Sequence, residues 1–397
     1  IKDRIAVIGL GYVGFPLSME LSSHFKTIGY DINKRRVNEL KKGIDKTKEI
    51  IIKKKTLSKL KISCLLTDIK DCNIFIVTVP TPIFKNKKPN LIPLTKALVD
   101  INKILKKNDL IIIESTVYPG ATEELIKKNI NKKLILNKDF HIGFCPERIN
   151  PGDKVHKLKN ISKVISGSSN YAKKKTYQIY SKIIKAKIFL AKDIKTAEAA
   201  KIIENTQRDL NVALINELSL ICDKLHINTH DVLDAAGTKW NFLKFEPGLV
   251  GGHCIGVDPY YLTYKAKKVG IKPNVILAGR NTNDSLPKKI ANNIQSKFSK
   301  KFGNYQNKKA LILGYTFKEN CPDIRNSKVH DLFIELKKQK LKVKIFDPLV
   351  SLNEISKSNK NFFLKNIYNQ KFDLIIFAVK HDFFVKNRHE IIKKMLI

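Results

Sequence analysis

Long apolar runs are missing from this 397-residue chain. No uninterrupted stretch approaches the roughly 18–20 residues that span a bilayer, and no leader-like pattern opens it, so a cytoplasmic location without membrane insertion is expected. Ile1 is not an initiator methionine, which points to a clipped or incompletely recorded N-terminus. Cysteine is sparse and dispersed, at positions 64, 72, 145, 222, 254 and 321, with no CxxC pair. That excludes a zinc ribbon or a compact disulfide framework and fits reduced thiols, so no metal is expected. Arginine is scarce as well: eight of the 75 basic residues, the other 67 being Lys. The formal charge of +39 invites a charge-driven nucleic-acid-binding protein. Sequence recognition there relies on Arg forks and on charge clustered on one element. Here Lys is spread along nearly every helical stretch beside abundant Ile and Asn, so the charge reads as compositional drift and no nucleic-acid partner is expected. Anionic small molecules such as nucleotides are still attracted. Low-complexity segments are absent apart from Lys-rich helical surface.

What is present is enough chain for two or three cores, with 43% hydrophobic residues. Arg4–Ile8 (RIAVI) reads as a buried parallel strand, followed by Gly9-Leu10-Gly11-Tyr12-Val13-Gly14, a helical segment, and a second strand, Thr27–Tyr30, ending in Asp31. Asp31 lies 22 residues after Gly9. Strand, GxGxxG, helix, strand and acid together form a dinucleotide fingerprint: glycines for a tight turn and close approach of a pyrophosphate, and a helix N-terminus facing the anion. Asp31 is suited to accept hydrogen bonds from a ribose and to repel a 2′-phosphate, which favours NAD over NADP. Arg35 and Arg36 blur that choice, since a nearby Arg can accommodate the phosphate.

The alternation continues with strands Ile74–Val79, Leu110–Ile113 and His141–Phe144. They deliver Thr81, Thr116 and the run Cys145-Pro146-Glu147-Arg148-Ile149-Asn150 at strand carboxyl ends, where α/β sheets bind ligands. Turn or capping duty competes for each Thr, and a surface ion pair with Arg148 competes for Glu147. Lys192 to Leu225 reads as one helix of roughly 50 Å. Lys201, Asn205 and Arg208 fall about one turn apart on it, as a functional face or as a solvated polar stripe. A loop, Gly248 to Pro259, then surrounds Cys254 with glycines and carries Asp258; a packing thiol and an exposed nucleophile compete for Cys254. Helical stretches Pro259–Val269 and Asn274–Phe298 follow. Strand Lys308–Leu313, helix Asn326–Lys338, strand Val343–Phe346 and strand Phe372–Val379 make a second α/β repeat that lacks GxGxxG. The fold class is therefore α/β, with two Rossmann-like doubly wound sheets joined by a long central helix. The expected domains are 1–191, a helical 192–303 with the cysteine loop, and 304–397.

These stretches resemble, in order, the nucleotide-sugar 6-dehydrogenases, which act on UDP-glucose, GDP-mannose and UDP-N-acetylhexosamines. GLGYVGFPL, VTVPTPI, ESTVYPGATEE, PERINPGD, AEAAKIIENTQRDLNVALINEL, GLVGGHCIGVDPYYL and GYTFKENCPDIRNS carry the resemblance across essentially the whole chain. ENTQRD, STVYPGAT and GGHCIGVDPYYL are most similar to the branch acting on UDP-N-acetylglucosamine or UDP-N-acetylgalactosamine, which supplies uronic acids for surface polysaccharides.

The resemblance implies a four-electron oxidation of a sugar C6 alcohol to a carboxylate with two NAD. The substrate it implies first is UDP-N-acetylglucosamine, with UDP-N-acetylgalactosamine, UDP-N-acetylmannosamine and UDP-glucose as alternatives. A Cys254 thiolate suits capture of the aldehyde as a thiohemiacetal and passage through a thioester. Lys201 suits thiolate and oxyanion stabilisation, Asp258 a base or water-positioning group, and Glu147 the base for thioester hydrolysis. Asn205 and Thr116 suit hydrogen-bond donors. By the same resemblance, Gly9, Gly11, Tyr12, Val13, Gly14, Asp31, Arg36, Thr81 and Thr116 hold NAD, with Lys318 and Arg325 near cofactor or substrate. Lys244, Phe245 and Gly251 of the Phe242–Gly252 loop, with Arg148, Asn150, Arg208 and Arg280, are implied substrate contacts. The long helix implies a homodimer. Family members usually continue with another strand and helix beyond the point where this chain stops, so a missing edge strand or a trimmed C-terminus is expected. A two-electron 3-hydroxy-acid dehydrogenase, which has no need of Cys254, and a non-catalytic nucleotide sensor are the competing readings.

Overall fold

A computed structural model describes residues 3–47, 49–52, 54–130, 133–149, 153, 157–368 and 370–397. Two compact units emerge, one of residues 1–204 and 260–272, the other of residues 205–259 and 273–397.

The first unit opens with β1 (Arg4–Ile8), α1 (Gly14–Leu21), β2 (Lys26–Tyr30), α2 (Lys34–Lys41), a one-turn α3 (Lys54–Leu57) and β3 (Lys61–Ser63). It continues through β4 (Ile74–Val77), α4 (Ile92–Asn102), β5 (Asp109–Ile113), α5 (Ala121–Asn129) and β6 (Phe140–Phe144) to β7 (Lys163–Gly167), α6 (Asn170–Tyr180) and β8 (Ile188–Leu190). The strands form one sheet in the order β3-β2-β1-β4-β5-β6-β7-β8. Every pairing is parallel except β6 with β7. Strand order reverses between β1 and β4, and at such a switch point the carboxyl ends of strands leave a crevice.

The apolar runs are continuous because both faces are covered. Ile5, Val7, Ile74, Ile76, Leu110 and Ile112 pack on one face with Leu17, Leu21, Ile179 and Tyr180. Leu10, Phe15, Met19, Val37, Leu40 and Ile62 form a separate cluster where α1, α2 and β3 meet. Each fully buried aliphatic side chain contributes roughly 1.5–3 kcal/mol.

Helix α7 (Ile194–Leu225) starts in the first unit and runs on into the second. It is followed by α8 (Thr229–Ala236), α9 (Asp258–Lys268) and α10 (Asn274–Phe302). The C-terminal part adds β9 (Lys309–Leu313), α11 (Lys328–Lys338), β10 (Lys342–Phe346), β11 (Leu374–Phe377) and α12 (Asp382–Met395). Its parallel strands stand in the order β10-β9-β11. Ile312, Val343 and Ile345 pack with Val329, Leu332 and Phe333 of α11; Leu311 and Leu313 pack with Phe384, Ile391 and Met395 of α12.

Three strands escape the hydrophobic pattern of the sequence, for different reasons. β3 is three residues long, β7 begins on a lysine, and β8 ends on exposed Phe189 and Leu190. Periodicity over so few residues carries no signal.

Candidate active site

The β1–α1 turn is built for close backbone approach. Gly9 has φ 94°, and its carbonyl oxygen accepts from Thr78 Oγ1 at 2.7 Å. A Cβ on Gly14 would stand 1.8 Å from that same oxygen and 2.3 Å from Thr78 Oγ1, so no side chain fits there. A Cβ on Gly11 would meet nothing within 4 Å, which leaves the turn open on the side where a ligand would come. Tyr12 and Val13 complete it, each half-buried. At the end of β2, the Asp31 carboxylate accepts from the Leu10 N–H and the Asn33 N–H, both at 2.8 Å. The two arginines that blurred the cofactor choice are both engaged by carboxylates. Arg36 pairs with Asp45 at 2.7 Å and donates from Nε to the Leu10 carbonyl, while Arg35 pairs with Glu39 at 3.0 Å. Asp31 thus keeps its ribose-accepting geometry without a committed phosphate partner, and the cradle fits NAD.

Thr81 and Thr116 follow β4 and β5, each half-buried. The Tyr261 hydroxyl donates to the Thr81 carbonyl at 2.9 Å, and Ser115 Oγ donates to the Val79 carbonyl at 2.6 Å, so both loops are tied down. Lys201 is 8% exposed on α7, one turn before Asn205.

Glu147 makes a different ion pair from the one its sequence neighbour suggests. Arg148 turns instead to Glu204, at 2.8 Å, and to the Ser162 carbonyl. Glu147 Oε1 accepts the N–H groups of Arg148 (2.6 Å) and Ile149 (2.7 Å), and its Oε2 accepts from Lys163 Nζ at 3.0 Å. Lys163 also donates to Glu114 at 3.0 Å, and the Tyr180 hydroxyl donates to the other oxygen of Glu114. Burial pushes Glu114 up to about 7, against the pull of Lys163. Burial also raises Glu147, but Lys163 and the two backbone donors outweigh it and hold this carboxyl below its usual range. Lys163, Glu114 and Tyr180 were not legible as site residues; a lysine opening an apolar strand was the only available signal.

In the second unit the Cys254 loop leads straight into α9. The Cys254 carbonyl accepts the Asp258 N–H at 2.8 Å, which places thiol and carboxylate residues one turn apart. Asp258 is 3% exposed and accepts from Asn205 Nδ2 at 2.6 Å. Cys254 is half-buried, and none of the six cysteines is joined in a disulfide. Burial raises the thiol of Cys145 well above its ordinary value, which marks a packing residue.

The loop is held at both ends. Asn216 of α7 receives the Gly248 N–H at 2.8 Å and donates to the Gly248 carbonyl at 3.0 Å. Gly252, at φ 83°, lies so close to Phe317 that a Cβ would meet its ring at 2.7 Å, and a Cβ on Gly251 would meet the Asn326 carbonyl oxygen at the same distance. These two glycines therefore seat the loop against the segment after β9, which also carries Lys318 and Arg325. Arg325 pairs with Asp323 at 2.7 Å, and His253 Nε2 stands 3.9 Å from the same carboxylate. Neighbouring atoms that partly desolvate the ring, with Arg325 adding to them, lower His253 from its ordinary value, although its side chain stays 38% exposed.

Other expected contacts are distributed differently. Arg208 and Lys244 are exposed and Phe245 half-buried; Asn150 lies outside the described residues. Arg280 is 2% exposed and pairs with Asp209 and Asp284, both at 2.6 Å. Its guanidinium joins α10 to α7, where a ligand contact had been expected.

Residues 3–184 match the NAD binding domain, residues 195–285 the central domain, and residues 311–396 the UDP binding domain of the UDP-glucose/GDP-mannose dehydrogenase family. The chain belongs to this family. It is 47% identical over 384 residues to the UDP-N-acetyl-D-glucosamine 6-dehydrogenase of Salmonella typhi, covering 96% of this chain and 90% of that protein. Identity to the protein of that name in Pseudomonas aeruginosa is 48% over 398 residues, covering 99% and 94%. A UDP-D-ManNAc dehydrogenase structure from Pyrococcus horikoshii superimposes with a TM-score of 0.87 at 31% identity, covering 99% of this chain and 93% of that one. The protein is thus an NAD-dependent oxidoreductase of the family, with the fold its sequence predicts, and NAD is the cofactor. Among the described residues, no helix is long and apolar enough to cross a membrane.

Proposed function

We propose that the protein oxidises the C6 alcohol of a UDP-N-acetylhexosamine, UDP-N-acetylglucosamine first, to the uronic acid. The observation that carries this is the Asn205–Asp258 hydrogen bond at 2.6 Å, one helical turn from Cys254, in a chain nearly half identical to two dehydrogenases named for that sugar. NAD, held by the Gly9–Gly14 turn, Asp31 and the Thr81 and Thr116 loops, supplies hydride acceptance at each of the two oxidations.

The chain's own groups do the rest. Cys254 adds to the aldehyde carbon, keeping the reactive intermediate on the protein, and carries the acyl group as a thioester until water releases the acid. Asp258, oriented by Asn205, takes and returns protons at the C6 oxygen. Lys201 supplies positive charge for the oxyanion. Glu147 takes the proton of the attacking water. Lys318 and Arg325, with Lys244, Phe245, Gly251 and Arg208, contact the nucleotide sugar. Exposed Leu214, Ile221 and Leu225 share a stripe of α7 and suit a homodimer contact.

The test is stoichiometric. Two NADH per UDP-N-acetylglucosamine, with the acid identified by mass, are expected. Cys254→Ser should retain NAD binding and lose acid formation. One NADH per sugar, or full turnover by Cys254→Ser, would return the reading to a two-electron dehydrogenase. A panel of UDP-N-acetylgalactosamine, UDP-N-acetylmannosamine and UDP-glucose sets the sugar.

A further inference from the structure

Five titratable groups converge inside the first unit where three strands meet. Glu114 follows β5, Cys145 and Glu147 follow β6, and Lys163 opens β7. Because β7 runs antiparallel to β6, its first residue lies beyond the end of β6, level with the residues that leave the parallel strands. Tyr180, at the end of α6, closes the group from the helix side.

The charges do not balance. One ammonium, its side chain 2% exposed, faces two carboxylates: Glu114, fully buried, and Glu147, 12% exposed. A buried ion pair needs one partner of each sign, and a second carboxylate is a cost the fold has no need to carry. Tyr180 hydrogen-bonds Glu114 but brings no charge. Arg148, the nearest arginine in sequence, spends its guanidinium on Glu204. Glu147 is the one of the two that retains exposure and so the one a water can reach, while burial raises the proton affinity of the more deeply enclosed Glu114.

We propose that Lys163 and Glu114 are positioning residues that set Glu147 as a proton acceptor for thioester hydrolysis. This rests on the assignment of Glu147 as the hydrolytic base. Before reaction, Lys163 and the N–H groups of Arg148 and Ile149 keep Glu147 ionised and fix its two oxygens. As water attacks, its oxygen bonds to the acyl carbon, its proton passes to Glu147, and the bond to the Cys254 sulfur breaks. With Glu114 ionised, protonated Glu147 leaves Glu114 and Lys163 as a balanced pair, and the negative charge of that form of Glu114 favours the transfer. The two residues therefore act on Glu147 in opposite directions. Burial pushes Glu114 up to about 7 and Cys145 well above its ordinary value, while Lys163 is raised, its two carboxylates outweighing burial.

The experiment follows decay of the acyl-enzyme in single turnovers of the intact protein with NAD and UDP-N-acetylglucosamine, reading the Cys254 adduct by mass against pH. Lys163→Met should move the rising limb of hydrolysis up by about one pH unit or more, giving roughly tenfold slower decay on that acidic limb and little change above it. Glu114→Gln, close to isosteric, should move the same limb down, and it tests the idea should Lys163→Met fold poorly. Glu147→Gln should slow decay across the range. Wild-type decay in Glu147→Gln removes the base assignment itself. Slow decay there, with unshifted or same-direction limbs in the other two variants, overturns the proposal and leaves that assignment standing.

Discussion

Replacing Arg280 by Met separates a structural guanidinium from a ligand contact. Arg280 holds Asp209 and Asp284 at 2.6 Å each, and Asn283 Nδ2 donates to the same Asp209 oxygen at 2.8 Å. Asp284 keeps a second cation, Lys328 at 3.0 Å, and is partly exposed. Asp209 is 0% exposed, so Arg280→Met leaves its charge to the Asn283 amide. Breaking a buried pair from one side costs about 3–5 kcal/mol, because the remaining charge is uncompensated. For a unit of this size the midpoint of unfolding should fall by roughly 10 °C. The double variant Arg280→Met with Asp209→Leu should regain most of that, since neither charge remains.

The pH dependence has a definite sign. Burial already raises Asp209, with Arg280 opposing it, so removing Arg280 raises it further. The folded variant then binds a proton that the unfolded chain releases above about pH 4, and its stability falls as pH rises through that window. Thermal or urea unfolding between pH 4 and 8 reads this directly. A variant as stable as wild type at pH 7, with a raised KM for the nucleotide sugar, would refute the reasoning and restore Arg280 as a ligand contact.

Two further outcomes follow from local geometry. Gly14→Ala places a methyl 1.8 Å from the Gly9 carbonyl oxygen, so the turn must open; NAD-dependent stabilisation in a thermal shift should fall by at least tenfold in apparent Kd, and an unchanged Kd would show that the turn is not the cradle. Asp109, 3% exposed at the start of β5, is pushed up to about 6 by burial, only partly offset by Lys106. Between about pH 3.9 and 6 the folded state holds the extra proton, so stability falls as pH rises and the full cost of about 3 kcal/mol is present above that range. Asp109→Asn should therefore be more stable than wild type at pH 8 and little different at pH 4; equal curves at both would rule this out.

Much of the chemistry could be read from residue order. The GxGxxG turn with Asp31 is local: strand, turn and helix are contiguous, and the spacing itself forces Gly9, Gly14 and the acid together. Asn205 and Asp258 could be named from the resemblance, although their hydrogen bond joins residues 53 positions apart. The long helix was legible because 32 residues without Pro or Gly give periodicity room to show.

What tertiary structure decided were partnerships between distant residues. Glu147 looks like the partner of Arg148 in sequence; only the antiparallel entry of β7 brings Lys163 to it, while Arg148 pairs with Glu204 of α7. Arg280 looks like any cation open to phosphate until α7 and α10 pack and Asp209 is buried against it. By the resemblance Gly251 is a substrate contact, yet Gly251 and Gly252 are also needed because Asn326 and Phe317 leave no space for a Cβ on them. Residue types and their order determine which chemistries are available. Charge pairing and close packing depend on distances of a few ångströms between segments far apart in the chain, and folding alone sets those.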